Sequence, residues 1–179
     1  AQKLLEEAET RFHERIVIDA RNGREVQIGK VELYFIAGTK GGIGKSTMAA
    51  LIAEIARDKG REVEIFDCDN ENRSLVSAFE SHGENFKLHV IDPDSEDKAF
   101  PLDDVINRIA EETATGKVFV VDMKAGTSYS VQNWFKSVPI GELAGSGVRI
   151  NVVGCLTSDV ESVKTFGAWV KYFVEEAEK

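Results

Sequence analysis

Histidine, cysteine, basic charge and long apolar runs are all scarce in this chain, and each scarcity closes off a class of chemistry. Three histidines stand in 179 residues, His13, His82 and His89. They share no metal-ligand spacing, which leaves core or surface roles. Two cysteines, Cys68 and Cys155, make neither a disulfide framework nor a thiolate cluster, so both are expected reduced and an iron–sulfur centre lacks its ligands. Although 42% of the residues are hydrophobic, no run is long enough to cross a bilayer. A globular, cytoplasmic protein with a sizeable core is the expectation. Lysine and arginine number 22 against 31 acidic residues, a formal charge of −9. That balance disfavours binding DNA through a broad basic face and leaves only a local patch for it.

What the chain does have is glycine in one place. The run Gly38-Thr39-Lys40-Gly41-Gly42-Ile43-Gly44-Lys45-Ser46-Thr47 satisfies G-x-x-x-x-G-K-[ST]. Glycines let backbone N–H groups curl around a phosphate, the lysine reaches the β- and γ-phosphates, and the hydroxyl serves Mg²⁺. Lys45 and Ser46 fill those two roles. The flanks supply the context the motif needs: Val31–Ala37 reads as a buried strand, and Thr47–Ala56 repeats apolar residues at helical spacing. The helix N-terminus adds unpaired N–H groups and a positive dipole end. Gly41, Gly42, Ile43, Gly44, Lys45, Ser46 and Thr47 are therefore the candidate nucleotide-binding residues.

Lys40 is an extra cation ahead of the glycine pair. With it, the stretch Lys40-Gly41-Gly42-Ile43-Gly44-Lys45-Ser46 resembles the deviant Walker A loop of the ParA/MinD group of P-loop ATPases. The resemblance implies that Lys40 contacts phosphates across an ATP-sandwiched homodimer, coupling hydrolysis to dimerisation. Val63-Glu64-Ile65-Phe66 followed by Asp67-Cys68-Asp69 fits the same group, whose second core strand ends in an Asp-x-Asp pair. By that likeness Asp67 belongs to the outer Mg²⁺ shell, and Asp69 orients or activates the attacking water. Phosphoryl transfer needs mainly this positioning and charge stabilisation. Lys117–Val121 is a further apolar strand, ending in Asp122 at what looks like the Walker B position, where it would hold Mg²⁺ through water. In Met123-Lys124-Ala125-Gly126 a lysine stands where the group usually has proline, and its role is open. Asn70, Asn72 and Arg73 fall on the group's first switch and read equally well as a polar loop.

Strands near Val31–Ala37, Val63–Phe66, Lys87–Ile91, Val118–Val121 and Val148–Gly154 alternate with helices near Ser46–Lys59, Leu102–Thr113 and Val160–Glu178. That alternation predicts an α/β fold, a doubly wound, mostly parallel sheet with helices on both faces, as in P-loop NTPases. Ligands of such sheets bind at the carboxyl ends of the strands, where the loop, Asp67, Asp69 and Asp122 all fall.

The chain divides into residues 1–30, an extension with a helix over Gln2–His13 and a hairpin around Asn22-Gly23, and a P-loop ATPase domain over residues 31–179. The group continues into a further strand whose loop meets the adenine. Together with the missing initiator methionine, this suggests a fragment truncated at its C-terminal side. The last helix carries Val163, Phe166, Trp169, Val170, Phe173 and Val174. Its glutamates and few lysines favour packing on the core over a membrane-targeting segment. Trp134 and Phe135 are expected to pack a helix onto the sheet.

The expected function is an ATP- and Mg²⁺-dependent switch that hydrolyses slowly and dimerises on ATP binding. It would serve plasmid or DNA partition, positioning or conjugal transfer with an unidentified activating or cargo protein, and its layout also looks TraL-like. The alternatives are a dethiobiotin-synthetase-type carboxylate ligase, a class that generally lacks Lys40, and a non-hydrolysing nucleotide sensor.

Overall fold

The structure is a computed structural model that describes residues 15–18, 25–28, 31–38, 40–69, 72–80, 86–93, 102–112, 116–124, 134, 138 and 140–177. Strand β1 (Arg15–Ile18) pairs antiparallel with β2 (Glu25–Ile28), Arg15 opposite Ile28, which is the hairpin expected around Asn22-Gly23. The expected helix over Gln2–His13 lies outside the described residues, as do the turn itself, Asn70, Gly126 and Phe135.

The core begins at β3 (Val31–Ala37), followed by α1 (Lys45–Asp58), β4 (Val63–Asp67), α2 (Ser74–Glu80), β5 (Lys87–Val90), α3 (Asp103–Ala110), β6 (Val118–Asp122), α4 (Ile140–Gly145), β7 (Val148–Gly154) and α5 (Val160–Ala177). The five strands from β3 onward form one sheet in the order β5-β4-β6-β3-β7, and every pairing is parallel. Parallel strands need crossovers, and helices laid on both faces supply them.

Side-chain alternation sorts the two faces. Phe35, Phe66, Phe119 and Val121 point into a cluster with Val105 and Ile109 of α3, Leu143 of α4 and Trp169 of α5. Ile36, Val63, Ile65, Val118 and Val120 point the other way, against Ala49, Ala53 and Ala56 of α1 and Leu75 and Phe79 of α2. The strands β4 and β6 are buried along their whole length, as expected where both faces are covered.

The structure departs from the sequence reading in specific ways. Helix α3 is shorter than Leu102–Thr113 because Glu111 and Glu112 leave the helix in a turn. β4 and β6 each run one residue further, taking in Asp67 and Asp122, while β5 stops at Val90.

The stripe on α5 divides. Trp169 is buried and Phe166 packs on the core, but Val163, Val170 and Val174 are about half exposed. The helix is apolar around more of its circumference than the sheet edge covers. Helix α1 behaves similarly: its alanines face the sheet and allow close approach, while Leu51 and Ile55 face outward. Trp134 packs in the core as expected, its indole N–H donating to Asp103 Oδ1 at 2.7 Å.

Candidate functional site

From β3 the chain travels to one side of the sheet through β4 and β5 and later to the other side at β7. The carboxyl end of β3 is thus where the order reverses, the place at which open α/β sheets take ligands. The glycine loop sits there. Gly42 and Gly44 have φ of 72° and 92°, a left-handed backbone that a Cβ would strain. Gly44 is the N-cap of α1, with its carbonyl accepting from Met48 N–H at 2.9 Å. The first turn of α1 carries no acidic residue, so nothing on it offsets the positive end of the helix.

Within the loop, Lys45 is buried to 6% exposure and its ammonium donates to the Lys40 carbonyl at 3.0 Å. The loop's own carbonyl thus occupies the Lys45 ammonium. Ile43 is half-buried, its side chain close under Gly38, whereas Gly41, Gly42, Gly44 and Thr47 are exposed and Ser46 is partly buried. The Lys40 side chain is 56% exposed and pairs with Asp159 Oδ2 at 2.5 Å.

The three carboxylates arrive from two neighbouring strands. In the ladder Asp67 stands opposite Asp122, and Asp122 opposite Ile36 of β3. Parallel strands lie about 4.8 Å apart, so the two acids are immediate neighbours. By the period-2 alternation both point to the face of α1, alongside Ile65 and Val120. The residues brought together are therefore Lys45, Ser46, Asp67 and Asp122.

Each acid is 1% exposed, yet both oxygens of Asp122 and Oδ2 of Asp67 lack a hydrogen-bond partner. Asp67 Oδ1 accepts from Asp69 N–H at 3.0 Å. Burial, reinforced by the charges of Asp67 and Asp69, pushes the Asp122 carboxyl up to about 6. The Ser46 hydroxyl and Lys45 oppose that shift, the hydroxyl close enough to favour the ionised form without completing a hydrogen bond. Burial raises Asp67 as well. Cys68, fully buried on the opposite face of the sheet, is pushed far above the ordinary thiol range by burial and by both acids, so it is an inert neutral thiol.

A divalent cation fits this arrangement, because two buried carboxylates with unsatisfied oxygens face a hydroxyl. Among the described residues no group of three or more His, Cys, Asp or Glu side chains forms a ready metal cage. Mg²⁺ suits such a site, since it takes one or two carboxylates and draws its other ligands from phosphates and water.

Asp69 stands apart from that pair. Its Oδ1 accepts from Asn72 N–H at 3.2 Å and its Oδ2 from the Asn72 amide at 3.4 Å, while its carbonyl accepts from Arg73 N–H at 3.1 Å. The aspartate braces the start of α2, and Arg73 there has a left-handed φ of 33°. To orient a water, the carboxylate would have to release Asn72.

Asp159 was not among the residues the sequence singled out. Its local signal is a Ser-Asp pair ahead of an apolar helix, an N-cap signature, but its contact with Lys40 comes only from β7 lying beside β3.

Comparison with known proteins agrees with this geometry. The CobQ/CobB/MinD/ParA nucleotide binding domain family matches residues 34–170, from the middle of β3 to well inside α5 and including the loop and all three carboxylates. The chain belongs to that family and carries a nucleotide-binding domain. No curated protein matches it at a significant level. No helix among the described residues is long and apolar enough to cross a membrane.

Proposed function

We propose that this member of the CobQ/CobB/MinD/ParA family is an ATP-binding, Mg²⁺-dependent switch that hydrolyses slowly and dimerises when loaded, in the manner of the ParA/MinD group. The observation that carries the reading is the meeting of Lys45 and Ser46 with two buried, unsatisfied carboxylates on one sheet face. Neutral phosphate binders have no need of Asp122 in that position, whereas metal-assisted phosphoryl transfer does.

Gly41 to Thr47 would wrap the phosphates with backbone N–H groups, and Lys45 would exchange the Lys40 carbonyl for the β- and γ-phosphates. Ser46 and Asp122 would hold Mg²⁺, with Asp67 behind them; the bound ion would neutralise charge on the β- and γ-oxygens. Asp69 would orient the attacking water after letting go of Asn72, and that prior engagement supports a slow reaction. Lys40, on the exposed side of the loop, would exchange Asp159 for a second nucleotide. The setting we attach to the switch is DNA or plasmid partition, positioning or conjugal transfer, TraL-like in layout, in the cytoplasm and with an activating or cargo protein.

Light scattering with ATP·Mg²⁺ against ADP·Mg²⁺, read beside phosphate release with ATP and with GTP, tests this. Dimer with ATP, monomer with ADP, and a longer-lived dimer in Asp69→Ala are expected. An unchanged mass in ATP would refute the switch, and undiminished ATP affinity in Lys45→Ala would refute the loop assignment itself.

A further inference from the structure

We propose that residues 1–14 dock as a helix along an open apolar stripe of α5, so that the N-terminal segment covers the domain instead of trailing from it.

Val160, Val163, Gly167, Val170 and Val174 recur along α5 at intervals that alternate between three and four residues. That is the repeat of a helix-to-helix seam, which a second helix fills. The four valines are about half exposed or more. A Cβ at Gly167 would meet nothing within 4 Å, so the middle of the stripe is open. At 3.6 residues per turn the stripe lies about 130° round the helix from the buried Ser162 and Trp169. It therefore belongs to a different contact from the one α5 makes with the sheet.

Charge selects the occupant. Exposed Lys164 and Lys171 border the stripe, while Glu161 and Glu175 lie farther round. Glu175 holds Lys171 only loosely, at 3.6 Å with both side chains more than half exposed. Residues 1–14 carry four glutamates against Lys3 and Arg11, and Ala1, Leu4, Leu5, Ala8 and Phe12 share one face of a helix. A second copy of α5 fits less well. Laid antiparallel it sets lysine against lysine, and laid parallel it sets lysine against the flank of Phe166, which packs on the core.

The hairpin brings the segment to the place. Arg15 stands opposite Ile28, about 5 Å away, and Ile28 is three residues from Val31, at most about 11 Å. Residue 15 thus lies within about 16 Å of the amino end of β3, where Val148 of β7 is the neighbour of Val31. Helix α5 starts beyond the carboxyl end of β7 and passes Gly154 at Phe166. Its 18 residues span about 27 Å, against about 23 Å for the seven of β7, so its last turns come down to the end of the sheet where residue 15 is held. A helix backing up α5 from there runs in the same direction as α5. In that orientation the flank meeting the lysines bears Glu7 and Glu14 with Arg11 between them.

Val170→Cys in the full chain, labelled with a bulky maleimide and mapped by mass spectrometry, reads the cover; Ala168→Cys, away from the stripe, is the control. A short tether presents the segment at about millimolar concentration, so a site affinity of about 0.1 mM slows labelling at position 170 about 10-fold. Adding Leu5→Glu with Phe12→Glu should restore that 10-fold and leave position 168 unchanged. Glu7→Lys with Glu14→Lys should raise labelling at position 170 as well, and Lys164→Glu with Lys171→Glu in the same chain should bring the protection back. Equal labelling at position 170 with and without Leu5→Glu and Phe12→Glu would overturn the docking. Protection that grows with protein concentration would assign the stripe to a second copy, and an equal rise at positions 168 and 170 would show α5 itself loosening; either result overturns it too.

Discussion

Removing the negative charge of Asp122 should make the nucleotide-free protein more stable while disabling it. The carboxyl sits at about 6 in place of 3.8, chiefly through burial and then through the charge of Asp67. That rise, at about 1.36 kcal/mol per tenfold change in proton affinity, corresponds to about 3 kcal/mol of strain carried by the ionised form at neutral pH. Asparagine removes the charge but brings an amide whose hydrogens need acceptors, and an unsatisfied buried donor costs about 1 kcal/mol or more. The net expectation for Asp122→Asn at pH 7.5 is a gain of about 1–2 kcal/mol. For a domain of this size that is an increase in Tm of about 2–8 °C.

The pH dependence identifies the cause. Between the ordinary value and about 6 the folded chain binds more protons at this site than the unfolded chain does, so wild-type stability from Asp122 falls as pH rises through that window. The variant lacks the term. Its advantage should be absent near pH 4, grow through pH 5–6 and level off above about pH 6.5. Saturating ATP·Mg²⁺ should invert the order, since ligand at 100 times Kd stabilises wild type by about 2.7 kcal/mol and Asp122→Asn should lose the metal. Thermal unfolding by circular dichroism across pH, with and without nucleotide, reads all of this. A variant less stable than wild type at pH 7.5, with a difference independent of pH, would refute the argument that the site is held in electrostatic strain.

Two predictions concern packing and charge away from the loop. Glu64→Gln should destabilise by about 3 kcal/mol in urea unfolding, because losing a 2% exposed carboxylate shared by Arg108, Lys117 and His89 leaves the buried Lys117 and the partly buried Arg108 without their anion. The carboxyl is held far below its ordinary range despite burial, so its contribution is present above about pH 4.5 and the gap should close only in strong acid. Gly154→Ala should cost about 1–3 kcal/mol, since a Cβ there overlaps the Phe166 ring. Adding Phe166→Ala should be less than additive if that overlap is the reason.

The sequence carried most of the fold because its strands are fully buried and therefore read as continuous apolar runs. The bounds of β3 and β7 were legible to the residue, and the carboxylates Asp67 and Asp122 marked the ends of β4 and β6. Helices α2 and α4 were missed because seven and six residues give too few turns for an apolar period to emerge. The insertion of β6 between β3 and β4 was not legible, since strand order depends on contacts far apart in sequence. It is nevertheless what makes Asp67 and Asp122 neighbours. The same limit hid Asp159, whose partner lies over a hundred residues away. Glu64, a charge inside an apolar strand, was visible as an anomaly, but its cations come from α3, β5 and the residue before β6.

The two ends of the sheet treat buried acid in opposite ways, and that contrast separates structure from function better than burial does. At the amino ends Glu64 meets Arg108, Lys117, His89 and Lys87, and Glu32 meets Arg61 and the Tyr34 hydroxyl. Those carboxylates are lowered by their partners, and the links tie β3, β4, β5, β6 and α3 together. At the carboxyl ends Asp122 and Asp67 are equally buried, but their pKa values move upward and three of their oxygens go unmatched. Cations sufficient to neutralise them exist in this chain, yet they are deployed at the far end. An acid left unpaired at one end, in a fold that pairs its acids so fully at the other, is satisfied only when something from outside the chain arrives. The charge required is positive and the position is beneath the glycine loop, which is why a metal-bound nucleotide, and not the bare nucleotide, would relieve it in the switch proposed above.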